Sequence, residues 1–454
     1  MSHQVYFVEQ ALLADGWAHN VRLEVEHGYF TRISHNASSA GAIKLSGPML
    51  PTVANVHSHA FQRVMAGMAE VSLDPNDSFW SWRELMYQLV GKLSPQDVFI
   101  IARQLYIELL KAGYTQVGEF HYLHHAPQGE RYAQPHEMSL QLIEAANQAG
   151  MGLTLLPVLY AHSGFGGQAP TSGQARFIHD PQQYLSLHNR CEQVLAGHKL
   201  HRLGICFHSL RAVSKGKMLE VLSASAKDMP VHIHIAEQQK EVHDCVQWSG
   251  QRPVAWLHNE IGLDSRWCLV HATHLDAREV KLIAKSGAVV GLCPTTEANL
   301  GDGLFPAVDF NQQQGRWAIG SDSHVSVSLV EDLKILEYGQ RLFAQQRNRL
   351  HSEAQPQVGD FLFKQALAGG NQACGVQLGL AVGKRADFML LDPDQPFIGA
   401  SAPKDLLNRW IFGISANAVK DVYVAGKPVI LNFRHPLQQL AAREFAQLLK
   451  RLMG

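Results

Sequence analysis

Short apolar runs alternate with amphipathic stretches through the middle of the chain. Eight of the apolar runs are rich in β-branched and aromatic side chains, which is typical of buried β-strands. They lie near residues 49–56, 115–121, 153–159, 203–209, 230–236, 267–272, 288–293 and 317–322. A run such as LTLLPVLY is almost continuously apolar, as parallel strands covered on both faces require. The pattern predicts an α/β fold, a (β/α)8 TIM-type barrel over residues 49–378.

Helix signals lie between these strands. Ser94 and Pro95 precede the amphipathic stretch VFIIARQLYIELLKAG, which ends at Gly113. Serine is a common N-cap, proline suits the first helical position, and glycine ends helices, so this stretch predicts one complete helix. Further helices are predicted at residues 136–149, 214–227 and 277–285.

The two ends of the chain have a different pattern. Residues 1–48 and 379–432 alternate polar and apolar side chains, as half-buried strands do. We expect these two segments to pair into one smaller β-sandwich domain. Residues 433–454 repeat apolar side chains at about 3.6 residues and predict a C-terminal helix that packs against the barrel or a partner subunit.

Composition narrows the class of partner. Lys and Arg total 39 against 40 Asp and Glu, so we expect a small-molecule substrate, and neither nucleic acid nor a membrane. The six cysteines lie far apart and predict neither a zinc ribbon nor a disulfide framework. The N-terminus lacks a basic segment followed by an apolar one, which predicts a cytoplasmic protein. The 25 histidines stand out, because a buried imidazole needs hydrogen bonds or a metal.

The first chemical signal is His57-Ser58-His59, at the carboxyl end of the first predicted strand. Side chains two residues apart in a strand share a face, and at a rise of about 3.3 Å per residue their origins lie about 6.6 Å apart. Both imidazoles can therefore reach one metal ion. A simple hydrogen-bonded pair on a polar face would have the same spacing.

Three further strand ends carry polar groups. In VHIHIAEQ, His234 can point into the barrel, Glu237 follows on the loop, and His232 lies one layer deeper as a polar core residue, less favourably as a ligand. His271 ends the sixth strand in LVHATH, and Asp322 ends the eighth in GSDSH. The carboxyl ends of barrel strands converge on one site. Three neutral imidazoles and a carboxylate suit Zn²⁺ and leave room for an activated water.

The set of HxH, HxxE, His and Asp on strands one, five, six and eight resembles the amidohydrolase superfamily, in its single-metal deaminase branch. The likeness covers essentially the whole chain, including the closing segment GLAVGKRADFMLLD. It implies one Zn²⁺ per subunit, with Fe²⁺ as an alternative, held by His57, His59, His234 and Asp322. It also implies catalytic roles in proton transfer and charge stabilisation for Glu237, His271 and Asp322. The fourth strand ends in FHSLRA without a lysine, which disfavours a dinuclear centre bridged by a carbamylated lysine.

Within that branch, the segments NVHSHAFQRVMAG, DSFWSWRELMY, EFHYLHH, FHSLRAV and GSDSHVS resemble enzymes that deiminate N-formimino-L-glutamate. The likeness implies hydrolysis to N-formyl-L-glutamate and ammonia in histidine degradation. A substrate with two carboxylates needs cationic donors, and we expect binding by Gln62, Arg83, Tyr122, His208 and Arg211. Tyr122 could instead belong to the core, and Arg83, in a long loop after the first strand, could be a solvated charge.

Several alternatives stay open at this point. A related deaminase acting on guanine or another heterocycle would use aromatic stacking in place of carboxylate clamps. A non-catalytic barrel would have lost metal ligands, and an amide or ester hydrolase could use the same ligand set. The aromatic-rich segment 74–87 either covers the substrate as a lid or packs against the barrel mouth. We expect the chain to form a homodimer.

Overall fold

The structure, a computed structural model, describes residues 3–71 and 79–453, with the side chains of all but residues 79 and 80. Its strands form two sheets. The strands are β1 (Gln4–Leu13), β2 (Gly16–Glu26), β3 (Tyr29–Ser34), β4 (Ile43–Lys44), β5 (Met49–Pro51), β6 (Val53–Ser58), β7 (Tyr114–His121), β8 (Gly152–Leu159), β9 (Arg202–Leu203), β10 (Ile205–Ser209), β11 (Val231–Ile235), β12 (Trp267–His271), β13 (Val289–Leu292), β14 (Arg316–Ile319), β15 (Phe388–Leu391), β16 (Val419–Val424) and β17 (Lys427–Ile430).

The α-helices surround the barrel or join the two sheets. They are α1 (Phe79–Val90), α2 (Pro95–Lys111), α3 (Glu137–Ala149), α4 (Pro181–Leu195), α5 (Lys215–Ala224), α6 (Gln239–Ser249), α7 (Pro253–Glu260), α8 (Ala277–Ser286), α9 (Pro294–Leu300), α10 (Ala307–Gln312), α11 (Leu329–Ala344), α12 (Val358–Cys374), α13 (Pro396–Gly399), α14 (Pro403–Gly413) and α15 (Gln438–Met453). Short 3₁₀ helices cover Ala60–Met65 and Ser172–Gln174. Among the described residues, no helix combines the length and the apolar character needed to cross a membrane.

The predicted barrel is confirmed. Strands β6, β7, β8, β10, β11, β12, β13 and β14 lie side by side in this order, and β9 adds a short pairing to β8. The first and last strands meet through a bridge between Ser58 and Asp322. There the Asp322 N–H donates to the His57 carbonyl at 3.0 Å, and the His59 N–H donates to the Asp322 carbonyl at 3.1 Å. The barrel therefore closes through the backbone of three candidate metal ligands.

Two predicted strand boundaries are wrong. Residues Met49–Pro51 do not start the first barrel strand, because they pair with β1 and β15 in the smaller sheet. At the other end, β14 stops at Ile319, because the chain turns out of the strand and Asp322 adopts a left-handed backbone with φ of 48°. The second correction moves Asp322 out of regular strand and into the turn that follows β14, whereas His57 and Ser58 remain in β6.

The smaller sheet combines both ends of the chain, as predicted. Its strands follow the order β17-β16-β15-β5-β1-β2-β3. The outer strand β3 returns to the segment before β15, where Phe30 N–H donates to the Lys384 carbonyl at 3.0 Å. This curvature encloses a second apolar core, which includes Tyr6, Phe388 and Tyr423. The buried Arg385 side chain donates to Gln116 on β7 at 3.0 Å and so joins this sheet to the barrel.

The helix signals in the sequence correspond to observed caps. Ser94 accepts from the Asp97 N–H while the Asp97 carboxylate accepts from the Ser94 N–H, which forms a capping box at the start of α2. The predicted helices at 136–149, 214–227 and 277–285 are α3, α5 and α8, although α5 ends three residues early. Helix α15 packs against α2, with an ion pair between Arg451 and Asp97. In this chain the C-terminal helix therefore packs against the barrel, which is one of the two positions predicted for it.

Helix α12 approaches the barrel more closely than a side chain would allow. A Cβ atom at Gly369 would overlap the carbonyl of Trp317 on β14 and lie 3.2 Å from the Ala318 Cβ. At the next residue, a Cβ atom at Gly370 would lie 3.1 Å from the carbonyl oxygen of Ala54 on β6. These glycines let α12 cover the junction where the barrel closes.

We predict that Gly369→Ala lowers the free energy of unfolding by about 2 kcal/mol, because the methyl group must displace backbone that cannot retract. Gly216→Ala is the matched control, since it also lies in a helix but a Cβ atom there meets nothing within 4 Å. It should raise the free energy of unfolding by up to about 1 kcal/mol. Denaturant titration of both variants measures the difference, and equal effects would contradict close packing of α12.

Candidate metal centre and active site

Four side chains converge at the carboxyl end of the barrel. The His57 Nε2 atom lies 3.1 Å from His59 Nε2 and 3.0 Å from His234 Nε2. The Asp322 Oδ1 atom lies 3.4 Å from His57 Nε2 and 3.3 Å from His59 Nε2. Ligand atoms placed tetrahedrally at about 2.0–2.1 Å from a zinc ion are about 3.3 Å from one another. The spacing therefore fits one small divalent cation.

Hydrogen bonds on the far side of the rings orient two of these imidazoles. The Nδ1 atom of His59 lies 2.8 Å from the Phe120 carbonyl oxygen, and that of His234 lies 3.0 Å from the His208 carbonyl oxygen. A carbonyl can only accept, so Nδ1 carries the proton in the neutral ring and Nε2 presents a lone pair to the centre. Lone pairs and a carboxylate oxygen that face one another repel unless a cation lies between them.

Burial favours the charge states that a metal needs. It lowers the pKa of His57 to about 3, and it also lowers the pKa values of His59 and His234. For Asp322, burial raises the pKa, but the hydrogen bond and charge of His57 outweigh it and hold the carboxyl below its usual range. Three neutral imidazoles and one carboxylate are ligands that both Zn²⁺ and Fe²⁺ accept.

Strained backbone directs the side chains at the strand ends. Ala236, His271 and Asp322 have φ values of 51°, 67° and 48°, a region that residues with a Cβ rarely adopt. Each lies at or just beyond the end of β11, β12 or β14. Such strain persists only where the surrounding structure enforces it, and it is common at functional sites. Periodicity in the sequence predicts strands but not these turns.

His271 lies beside the four-residue centre with carboxylates around it. Its Nε2 atom is 3.8 Å from both Glu237 Oε1 and Asp322 Oδ2, and its Nδ1 atom is 3.2 Å from Glu297 Oε1. Burial lowers the pKa of His271, but the charges of Glu237, Glu297 and Asp322 outweigh it and raise the pKa to about 10. Burial raises the pKa of Glu237 to about 7. The site thus holds one imidazolium and one carboxyl group that can take up or release a proton near neutrality.

A buried polar network supports the centre from beneath. Ser58 donates to the Glu119 carboxylate at 2.6 Å, and the Ala60 N–H donates to the same carboxylate at 2.7 Å. Ser58 Oγ also lies 3.1 Å from His324 Nε2, while His324 Nδ1 lies 2.9 Å from Ser321 Oγ. These hydrogen bonds therefore fix Ser58, Ser321 and His324, which lie close to candidate ligands in the chain.

The predicted substrate-binding residues line one cavity with the candidate metal ligands. Gln62, Arg83, Tyr122, His208 and Arg211 share this cavity with His59, His234, Glu237, His271 and Asp322. The Gln62 amide donates to the Tyr122 hydroxyl at 2.9 Å. Arg83 lies on helix α1 and not in a loop, because α1 begins at Phe79. The structure brings all the sequence-predicted site residues together at one mouth.

Trp82, Met86 and Tyr87 line the cavity from α1, within the segment 74–87 that was expected either to cover the substrate or to pack against the barrel mouth. Tyr160 and Phe177, which follow β8 in the chain, also line the cavity and were not predicted from the sequence. Tyr160 follows directly after a predicted strand, which is a signal that could have found it. The predicted lid segment 74–87 lies partly outside the described residues; its remainder begins α1, whose Arg83 stacks on Tyr87 at 5.6 Å.

His232 has a structural role in the barrel interior. Its Nε2 atom lies 2.7 Å from the Ala373 carbonyl oxygen. The side chain is completely buried. Within the described residues it belongs to none of the groups whose donor atoms are close enough to share an ion. The preferred interpretation of His232 as a polar core residue agrees with this position.

Residues 49–429 match the sequence profile of the amidohydrolase family. The chain belongs to the amidohydrolase family. Residues 3–45 also match the profile described as "Formimidoylglutamate deiminase HutF, N-terminal domain". A formimidoylglutamate deiminase from Pseudomonas aeruginosa is 55% identical over 451 residues, which cover 98% of this chain and 99% of that protein.

More distant relatives of this amidohydrolase are named for other substrates. A 5-methylthioadenosine/S-adenosylhomocysteine deaminase from Thermodesulfovibrio yellowstonii is 24% identical and covers 85% of this chain and 81% of that protein. Among solved structures, an amidohydrolase from Brucella melitensis is 44% identical with a TM-score of 0.95, covering 99% of this chain and 100% of that one. An adenosine deaminase from Xanthomonas campestris with bound Zn is 20% identical, with a TM-score of 0.83, and covers 99% of this chain and 98% of that one, a likeness in fold alone.

We predict that His234→Asn in this amidohydrolase loses its metal on dialysis, from about one ion per chain to a small fraction of that, because the variant lacks one of the four proposed donors and so binds a divalent ion more weakly. His243→Asn, on the exposed surface of α6, is the matched control and should keep its metal. Elemental analysis measures both. Full metal occupancy in the His234 variant would contradict a role for this residue as a ligand.

Proposed function

We propose that the protein hydrolyses N-formimino-L-glutamate to N-formyl-L-glutamate and ammonia. The formimino group is a linear amidine that is cationic when protonated, and the glutamate part carries two carboxylates. The cavity offers groups of both signs, because Glu237 and Asp322 line it together with Arg83 and Arg211. This combination of two acidic residues and two arginines in one cavity is the observation that carries the proposal. The 55% identical deiminase supports it.

We propose that His57, His59, His234 and Asp322 hold one Zn²⁺, with Fe²⁺ as the alternative. When bound, such an ion supplies Lewis acidity that lowers the pKa of a water and polarises the carbon under attack. The four residues supply neutral and anionic donors at suitable spacing. The carbonyls of Phe120 and His208 keep the rings in the orientation that the ligand role requires.

In the proposed reaction, water adds to the formimino carbon and the bond from this carbon to the terminal nitrogen breaks. Asp322 accepts a proton from the attacking water, and Glu237 carries a proton to the departing nitrogen. The His271 imidazolium donates toward the charge that develops at the reacting centre. Glu297, on the other ring nitrogen, holds His271 with its Nε2 atom facing that centre. The second proton of the water leaves the hydroxyl group as the carbonyl forms, so a protonated amidine and water give a formamide and ammonium, and atoms and charges balance.

The arginines of the cavity lining are suited to carboxylates. Burial lowers the pKa of His208, and the charges of Arg211 and Arg83 lower it further. His208 therefore lies, as a neutral ring, in a positive field to which two guanidinium groups contribute. Arg211 and Arg83 can each offer paired N–H donors to a carboxylate, with Gln62 and Tyr122 as additional hydrogen-bond partners. We propose these five residues as the substrate-binding set.

The aromatic lining favours one competing substrate class. Trp82, Tyr87, Tyr160 and Phe177 surround the cavity, and aromatic faces can stack on a heterocycle such as guanine. A neutral heterocycle, however, offers no carboxylate to the two guanidinium groups of the cavity lining. The substrate assay below separates the two classes.

We predict that the purified, zinc-loaded protein releases ammonia from N-formimino-L-glutamate. N-formimino-L-alanine, which lacks one carboxylate, should lose roughly 10- to 150-fold in kcat/KM, as expected for a lost charged hydrogen-bond pair worth about 1.5–3 kcal/mol. Arg211→Met should lower kcat/KM for the glutamate substrate by a similar factor and leave the metal content unchanged. Absence of ammonia from formiminoglutamate, or faster release from guanine, would overturn the proposal.

A further inference from the structure

A second buried carboxyl group, that of Asp302, lies beside Glu237. The reaction proposed above gives it no role. Glu237, His271 and Asp302 each place a donor atom within 4.8 Å of those of the other two. Asp302 is only 5% exposed. Its Oδ1 atom accepts from the side-chain amide of Gln238, whereas its Oδ2 atom has no hydrogen-bond partner among the described residues.

A sharp turn in the chain directs this carboxyl group into the site. Helix α9 ends at Leu300, and Gly301 and Gly303 follow with φ values of 69° and 128°. Between them the Asp302 N–H donates to the Glu297 carbonyl at 2.9 Å. Both glycines are exposed while Asp302 is buried, so the turn directs this one side chain inward. Helix α9 thus supplies Glu297 to His271, and the turn that follows it supplies Asp302 to Glu237.

Two carboxyl groups this close in a buried site do not both ionise, because the second negative charge lacks solvation and is repelled by the first. The groups that face Asp302 are Glu237, His271, Glu297 and Gln238, and the ring of His274 donates to its backbone. Burial raises the pKa of Asp302 to about 9, and the charge of Glu237 adds to the effect while His271 opposes it. At neutral pH the pair therefore favours the state in which one of the two carboxyl groups is protonated.

We propose that Asp302 is a positioning residue that holds a shared proton with Glu237 and stabilises the Glu237 carboxylate each time its proton leaves with the product nitrogen. The inference rests on the proposed proton transfer by Glu237. Water supplies one proton for each ammonia released, so the pair regains its proton in every turnover. Asp302 thereby limits the build-up of negative charge next to Asp322 and Glu297 when the carbon–nitrogen bond breaks.

Asp302→Asn tests this role, because asparagine has the same shape but cannot exchange a proton. We expect kcat for ammonia release to fall about 10- to 100-fold with KM changed by less than about twofold. The basic limb of the kcat–pH profile should move to lower pH by about one unit, because Glu237 alone holds a proton less tightly than the pair does. Asp309→Asn, an exposed acid on α10, is the matched control and should leave all three quantities unchanged.

A second readout does not depend on turnover. At about pH 8, the infrared difference spectrum between the metal-loaded wild type and Asp302→Asn should contain the carbonyl-stretch band of a protonated carboxylic acid, whereas the difference spectrum between wild type and Asp309→Asn should not. Loss of the band together with the shifted pH profile supports the inference. An unchanged pH profile, or an unchanged band, overturns it, and thermal unfolding of both variants identifies a loss of activity that comes from misfolding. If wild-type protein releases no ammonia, the proposed function fails, while the infrared comparison still decides whether the carboxyl pair shares a proton.

Discussion

Repulsion among buried lone pairs is the constraint on which the site depends. Three imidazole nitrogens and one carboxylate oxygen point at a common centre at 3.0–3.4 Å from their neighbours. Carbonyl groups on β7 and β10 fix two of the rings, so the lone pairs cannot turn away. A cation in the centre would relieve this repulsion. The barrel also closes here through the backbone of His57, His59 and Asp322, so the binding of a cation would reinforce the closure of the fold.

Charged groups of both signs line the cavity around this centre. Glu237 and Asp322 share the lining with Arg83 and Arg211, and the charges of Glu237, Glu297 and Asp322 raise the pKa of His271 to about 10. In the proposed function, the carboxylates favour a cationic amidine and the arginines favour the carboxylates of the same substrate. Groups that attract different parts of one molecule would orient it as well as bind it.

The sequence predicted the architecture well because its signals are local and repeated. Buried parallel strands appear as apolar runs, and capping residues such as Ser94 mark a helix start, so the barrel, the composite sheet and the family were all predicted correctly. Deimination of formiminoglutamate was predicted by resemblance and is supported by the 55% identical relative. The roles of the individual site residues, the homodimer and the cytoplasmic location stay predictions.

What the sequence could not predict depends on long-range geometry. The pattern of Met49–Pro51 predicts a barrel strand, because nothing in the local sequence shows that its strand partners are β1 and β15. Glu297 and Asp302 lie after the seventh strand without a motif, and only the turn after α9 brings them to His271 and Glu237. Glu119 resembles any acid in a strand until Ser58 is placed against it. Each of these groups acquires its role from residues distant in the chain.

X-ray absorption spectroscopy of the zinc-loaded protein tests the central claim most directly, because it reports the atoms bound to the metal. The account predicts a first shell of nitrogen and oxygen atoms only, at about 2.0–2.1 Å, with the multiple-scattering signal of three imidazoles. A second group among the described residues, His271, Cys293 and Glu297, could also bring donor atoms close enough for an ion. A sulfur scatterer at about 2.3 Å, or a single imidazole, would place the metal there and contradict the account.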